Sequence, residues 1–74
     1  MKKENVLSEI RSKIPPIIAR QQVPILLGGA ISSKTLANLD SQGKGPKRMR
    51  IGRKVVYKAD DFLEWLAAKT VSLN

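Results

Sequence analysis

Arg50 to Leu66, RIGRKVVYKADDFLEWL, is the stretch whose reading decides the fold. Two β-prone runs, Lys47 to Ile51 and Val55 to Lys58, flank Gly52-Arg53-Lys54, and apolar runs around a glycine-bearing turn predict a hairpin. A three-residue loop puts Met49, Ile51, Val55 and Tyr57 on one face and Arg48, Arg50, Val56 and Lys58 on the other. A two-residue loop mixes the faces further, so the longer loop is preferred. The period then changes. Phe62, Trp65 and Leu66 recur at helical spacing behind Asp60 or Asp61, either of which is expected to cap the helix. Glu64 stands three residues after Asp61 in the manner of a capping box. Trp65, the sole tryptophan, is expected in the core with Tyr57 half-buried beside it, and Thr70 to Asn74 is expected to fray.

Upstream, Gly28 to Ile31 reads as a turn. Ser32 or Ser33 then caps a helix running through Ser41 or Gln42, which Gly43 closes in the left-handed conformation. Leu36 and Leu39 face inward with the small Ala37, while Lys34, Thr35, Asn38 and Gln42 project elsewhere. Arg20 to Gly28 is read as a short helix starting near Gln21 or Gln22, because Pro24 is best tolerated in a first turn, with an irregular apolar strand as the alternative. Two helices joined by a glycine-bearing turn make a helix-turn-helix pattern. At the N-terminus, Val6, Leu7, Ile10 and Ile14 mark an amphipathic helix over Glu4 to Lys13 that Pro15-Pro16 stops. Ile17-Ile18 is expected to anchor on the core.

Charge is concentrated rather than spread. Lys44 to Lys58 carries Lys44, Lys47, Arg48, Arg50, Arg53, Lys54 and Lys58 without an acid, in a chain of 14 basic and 6 acidic residues and net charge +8. The remainder, seven cations against six acids, is nearly neutral. Such a patch suits a polyanion, and nucleic acid is the commonest one a small protein meets. Protection of a sheet edge needs only a charge or two, so seven calls for a further role.

Other classes fare worse. A 74-residue chain is read as one domain, burying about 60% of the surface its unfolded form exposes, with little room for an enclosed substrate cavity. It has no cysteine and no histidine, which removes disulfides, thiolate or imidazole metal sites and histidine acid–base chemistry. No enzyme is expected: no catalytic residue, no metal and no cofactor is assigned. No apolar run reaches the length of a bilayer span, and Met1-Lys2-Lys3 is followed by Glu4 and Asn5 rather than a signal-peptide apolar region. No membrane is expected, and the location is read as cytoplasmic and nucleoid-associated. Gly28 to Thr35 (GGAISSKT) lies one substitution from a P-loop, but Ser33 occupies the second glycine position and no magnesium-binding strand follows. Ser41-Gln42-Gly43-Lys44 has serine–lysine spacing without its companion motifs. Adjacent Asp60 and Asp61 read as helix-start residues rather than a metal pair.

The order of a serine-led helix, a glycine turn, the basic strand Arg50-Ile51-Gly52-Arg53, the strand Val55-Val56-Tyr57, then Asp61, Glu64, Trp65 and Leu66 has a parallel. It resembles the small winged helix-turn-helix proteins of the excisionase and AlpA-like group, distant relatives of the MerR DNA-binding domain. The resemblance covers about Ala19 to Ala68, with residues 1–18 outside it. Pro24 stands where the pattern has a small helical residue, and Gly28 to Ile31 exceeds the usual turn. The implied fold is mainly α with a small β-hairpin, a single winged helix-turn-helix domain over residues 1–74. The implied role is DNA binding in phage, plasmid or mobile-element recombination or transcription regulation.

By that resemblance Ser33, Lys34, Thr35 and Asn38 lie on the recognition helix, and Arg50, Gly52, Arg53 and Lys54 form the wing. Asn38 then reads adenine in the major groove and Lys34 guanine or a phosphate. Lys44, Lys47, Arg48 and Arg50 supply phosphate contacts, and Arg53 at the wing tip is the candidate for insertion. The expected partner is double-stranded DNA, with further copies of the chain on adjacent sites or a recombinase or regulator beside it. The alternative is a basic protein-interaction module docking on an acidic partner. Single-stranded RNA is disfavoured, since with Trp65 and Phe62 in the core only Tyr57 remains for stacking.

Overall fold

Pro15 and Pro16 turn the chain from helix to strand. The computed structural model describes residues 3–73. Helix α1 (Lys3–Lys13) precedes the prolines, and Leu7 and Ile10, with Ile14 just beyond its end, pack half-buried against the core, with α1 lying along the last helix. After the prolines comes strand β1 (Ile17–Ala19), so the expected Ile17-Ile18 anchor is a third strand with period-two alternation: Ile18 is buried and Ile17 exposed. A 3₁₀ turn (Arg20–Gln22) leads into α2 (Val23–Leu26), whose first turn holds Pro24 as expected. The turn through Gly28 and Gly29 delivers α3 (Ser33–Ser41).

Both ends of α3 follow the sequence reading. Ser32 Oγ accepts from the Thr35 backbone N–H at 3.0 Å. At the other end Gly43 adopts φ 73°, Lys44 N–H donates to Leu39 O at 2.8 Å and Gly43 N–H to Asp40 O at 3.1 Å, the paired closure of a Schellman motif. Gly43 therefore ends the helix between Ser41 and Lys44, and the turn with its capped helix stands where the P-loop spacing was noted.

Strands β2 (Met49–Ile51) and β3 (Lys54–Lys58) form the expected hairpin, and α4 (Ala59–Lys69) follows. Ile51 pairs with Lys54, so the loop is the two residues Gly52-Arg53 and not three. Gly52 has φ 61° while Arg53 has negative φ, the requirement of a type II′ turn whose twist suits a tight hairpin. The one-residue difference changes the faces. Tyr57 and Val55 share theirs with Arg50 and with Ile18 of β1, whereas Met49 and Ile51 lie on the opposite face beside Val56 and remain exposed.

The sheet order is β1-β3-β2, antiparallel throughout. Among the described residues the architecture is mixed α/β: four α-helices and one three-stranded sheet. The core joins Ile18, Val23, Leu36, Tyr57, Phe62 and Leu66. Three expectations are corrected here. Tyr57 is fully buried rather than half-buried. Trp65 is half-buried at the core's margin, because its indole N–H reaches out to the Lys44 carbonyl at 2.8 Å. Asp60 and Asp61 lie in the first turn of α4, favourable to its dipole, but the N-cap is Lys58 and no side chain caps it. The Ala59 N–H instead donates to Pro16 O at 2.8 Å, a backbone acceptor supplied from beside β1. In the expected fraying segment Thr70 to Leu73 is non-helical, with Val71 and Leu73 exposed, and Asn74 lies outside the described residues.

Candidate functional site

All seven cations of Lys44 to Lys58 are exposed. Among the described residues the ion pairs are Arg11–Asp60 and Arg20–Asp40, and none of the seven joins either. The backbone carrying them is nevertheless held in place. Trp65 fixes the Lys44 carbonyl, Pro46 is buried, and Arg48 Nη1 donates to the Asp40 carbonyl at 3.1 Å. Lys54 Nζ donates to Gln21 Oε1 at 3.3 Å, which ties the hairpin to the 3₁₀ turn. Arg48 lies against the C-terminal end of α3, where a cation complements the negative end of the helix dipole.

On α3, Lys34, Thr35 and Asn38 are exposed and Ser33 is half-buried at the first helical position. Lys34 and Asn38, four apart, share one face. The Thr35 hydroxyl accepts from Ser32 Oγ at 2.9 Å and so belongs to the cap as much as to the surface. Among the described residues no hydrogen bond or ion pair links Lys34 or Asn38 to one of these cations; Arg48, just before β2, reaches α3 at its C-terminal end.

What joins helix to hairpin is a buried polar cluster absent from the sequence reading. Asp40, on the inner side of α3, is 4% exposed. Its Oδ2 accepts from Tyr57 Oη of β3 at 2.6 Å and from Arg20 Nη2 of the 3₁₀ turn at 2.5 Å, and Arg20 Nε donates to Tyr57 Oη at 3.1 Å. Three elements thus meet in one triangle. Burial pushes the Tyr57 hydroxyl up to about 12, and the bond to Asp40 reinforces the shift while Arg20 opposes it. The Tyr57 bond, with Asp40 behind it, holds Arg20 above its ordinary value against the opposing effect of burial. Asp40 Oδ1 is buried without a hydrogen-bond partner among the described residues, and it lies so close to Gly45 that a Cβ there would collide with it. A signal for this cluster was present in the sequence: Asp40 follows Leu36 by four residues, on the inward stripe, where a carboxylate requires a donor.

Among the described residues no group of three or more His, Cys, Asp or Glu side chains is placed to hold a metal ion, and no helix is long and apolar enough to cross a membrane. Comparison with protein-family models and with curated proteins finds no match to the chain.

Proposed function

We propose that the protein binds double-stranded DNA with sequence preference, as a winged helix-turn-helix in which α2 and α3 form the helix pair and β2–β3 the wing. The observation that carries this reading is the set of seven exposed cations, with no acid between them in the sequence and no ion pair among the described residues, on the hairpin and the segment leading into it, a stretch anchored before any ligand arrives. Ordering costs subtract from affinity, so a pre-anchored basic ribbon suits a polyanion better than a loose tail does. Exposed Lys34 and Asn38 on α3 carry the base-reading role, and Lys44, Lys47, Arg48, Arg50, Arg53 and Lys54 the backbone-gripping role. On the strength of the resemblance to the excisionase and AlpA-like group, the role proposed is in phage or mobile-element recombination or in transcription regulation, at the nucleoid.

The test is fluorescence anisotropy with labelled duplex DNA, followed by selection of bound fragments from a random duplex pool. Log affinity should fall with log salt at a slope of about −0.9 for each neutralised phosphate. Asn38→Ala should change the selected sequences while leaving that slope intact. A slope near zero removes the electrostatic basis of the reading. Unchanged sequence selection by Asn38→Ala removes the assigned role of α3 and favours docking of the basic hairpin on an acidic protein.

A further inference from the structure

Strand β1 stops short. It ends at Ala19, opposite Val56, while β3 continues back through Val55 to Lys54, so the hairpin tip overhangs the point where the chain bends into the 3₁₀ turn. The step leaves a cavity of about 150 Å³ lined by Ala19, Arg20, Gln21, Arg53, Lys54 and Val55. Three of those side chains are cationic and none is acidic. The space is well above the roughly 10–15 Å³ that admits one water.

The walls are also positioned. Arg20 is held from the core side by Tyr57 Oη and Asp40 Oδ2. A guanidinium has five N–H donors, and those two bonds leave most of them without a protein partner among the described residues. Lys54 Nζ is held across the notch by Gln21 Oε1 at 3.3 Å and keeps further donors. Arg53 stands at the tip, exposed and in no ion pair among the described residues. Ala19 and Val55 supply an apolar floor, and Asp40, the carboxylate bonded to Arg20, lies behind it and does not line the cavity.

We propose that this notch seats a single phosphate group. Resting on the DNA reading above, that group is one phosphate of the duplex backbone, gripped jointly by Arg20, Arg53 and Lys54. Guanidinium forks match tetrahedral oxyanions, and the charge-assisted bonds they form are stronger than neutral ones. The 3₁₀ turn, which the sequence marks only as the start of a short helix, becomes half of a phosphate clamp. The wing tip closes on the other half.

The experiment has two arms, both on the full chain. In the first, duplex affinity is measured against salt for wild type, Arg53→Ala, Lys54→Ala and the double variant; both side chains are exposed, and superimposable melting curves check that the fold is kept. If the two cations share one phosphate, the double variant loses at most about 0.9 of slope, the count for a single phosphate. A loss of about 1.8 means separate phosphates and overturns the clamp. In the second arm, inorganic phosphate is titrated into ¹⁵N-labelled protein, with chloride at matched ionic strength as control. Saturable shifts at the Arg20 Nε–H and the Lys54 amide, absent from the double variant, support the seat; non-saturating shifts spread along the hairpin overturn it. Saturable phosphate shifts in a protein that does not bind duplex sink the DNA reading and leave a seat for a free phosphate. Tight, salt-dependent duplex binding with the Arg20 and Lys54 signals unmoved sinks the seat and leaves the DNA reading standing.

Discussion

Among the described residues two arginine–aspartate pairs cross the molecule, and they differ in everything but chemistry. Arg11 and Asp60 join α1 to α4 at 2.8 Å with side chains 59% and 77% exposed. Arg20 and Asp40 join the 3₁₀ turn to α3 at 2.5 Å with side chains 22% and 3% exposed. The first is surrounded by water and needs no further partner. The second has lost most of its solvent and adds Tyr57 as a third member, which bonds both ions. Distance alone therefore does not rank them. A surface pair gains little because water serves both ions nearly as well, whereas removing one member of a buried group strands the other.

The sharpest way to break the comparison is Asp40→Ala, which leaves Arg20 and Tyr57 facing an uncharged gap and should cost about 3–5 kcal/mol in urea unfolding. A loss below about 1 kcal/mol would mean that the buried group behaves like the surface one. Next comes Gly45→Ala. Its new Cβ collides with Asp40 Oδ1, and overpacking of this kind costs about 1–3 kcal/mol. Combined with Asp40→Ala the added cost should shrink, because the colliding atom is gone. A cost that persists undiminished in that background would trace the strain elsewhere.

Tyr57→Phe should be milder, about 1 kcal/mol, since Arg20 still satisfies Asp40 Oδ2. Its effect depends on pH. Folding raises the hydroxyl from 10.0 to about 12, so the folded state holds the proton more tightly than the unfolded chain does. That contribution is complete below pH 10 and is lost as pH rises through about 12. As the sole tyrosine, Tyr57 can be followed by its own tyrosinate absorbance. A titration midpoint near 10 in the native protein would contradict the buried geometry. The smallest effect belongs to Arg11→Ala, which should cost less than about 1 kcal/mol and nothing measurable in about 1 M salt.

The same contrast explains what could be read in advance. Helices α1, α3 and α4 and the hairpin were legible because local pattern fixes them: apolar spacing, a serine three residues before the N–H it caps, a glycine at a left-handed position. Strand β1 was not, since Ile17-Ile18-Ala19 is too short to show a period and becomes a strand only by pairing with a partner 37 to 41 positions later in the chain. The loop length failed for a related reason: Gly52 alone meets the positive-φ requirement of the shorter turn, and the apolar pattern of the strands argued for the other. Trp65 was placed inward by helical spacing, which does not register an indole N–H with a use at the margin. The basic patch of the candidate site was plain from composition. Arg20 and Gln21 were not, because their neighbours at the hairpin tip come from a distant part of the sequence.

The bond from Ala59 to Pro16 has a kinetic corollary. The opening turn of α4 lacks a side-chain cap, so its first amide acquires an acceptor only after the stretch entering β1 has been laid beside β3. Slowed deuterium uptake at Ala59 during refolding should accordingly keep pace with the zipping of the outer strand rather than with helix growth, which makes that single amide a clock for the closure of the whole chain.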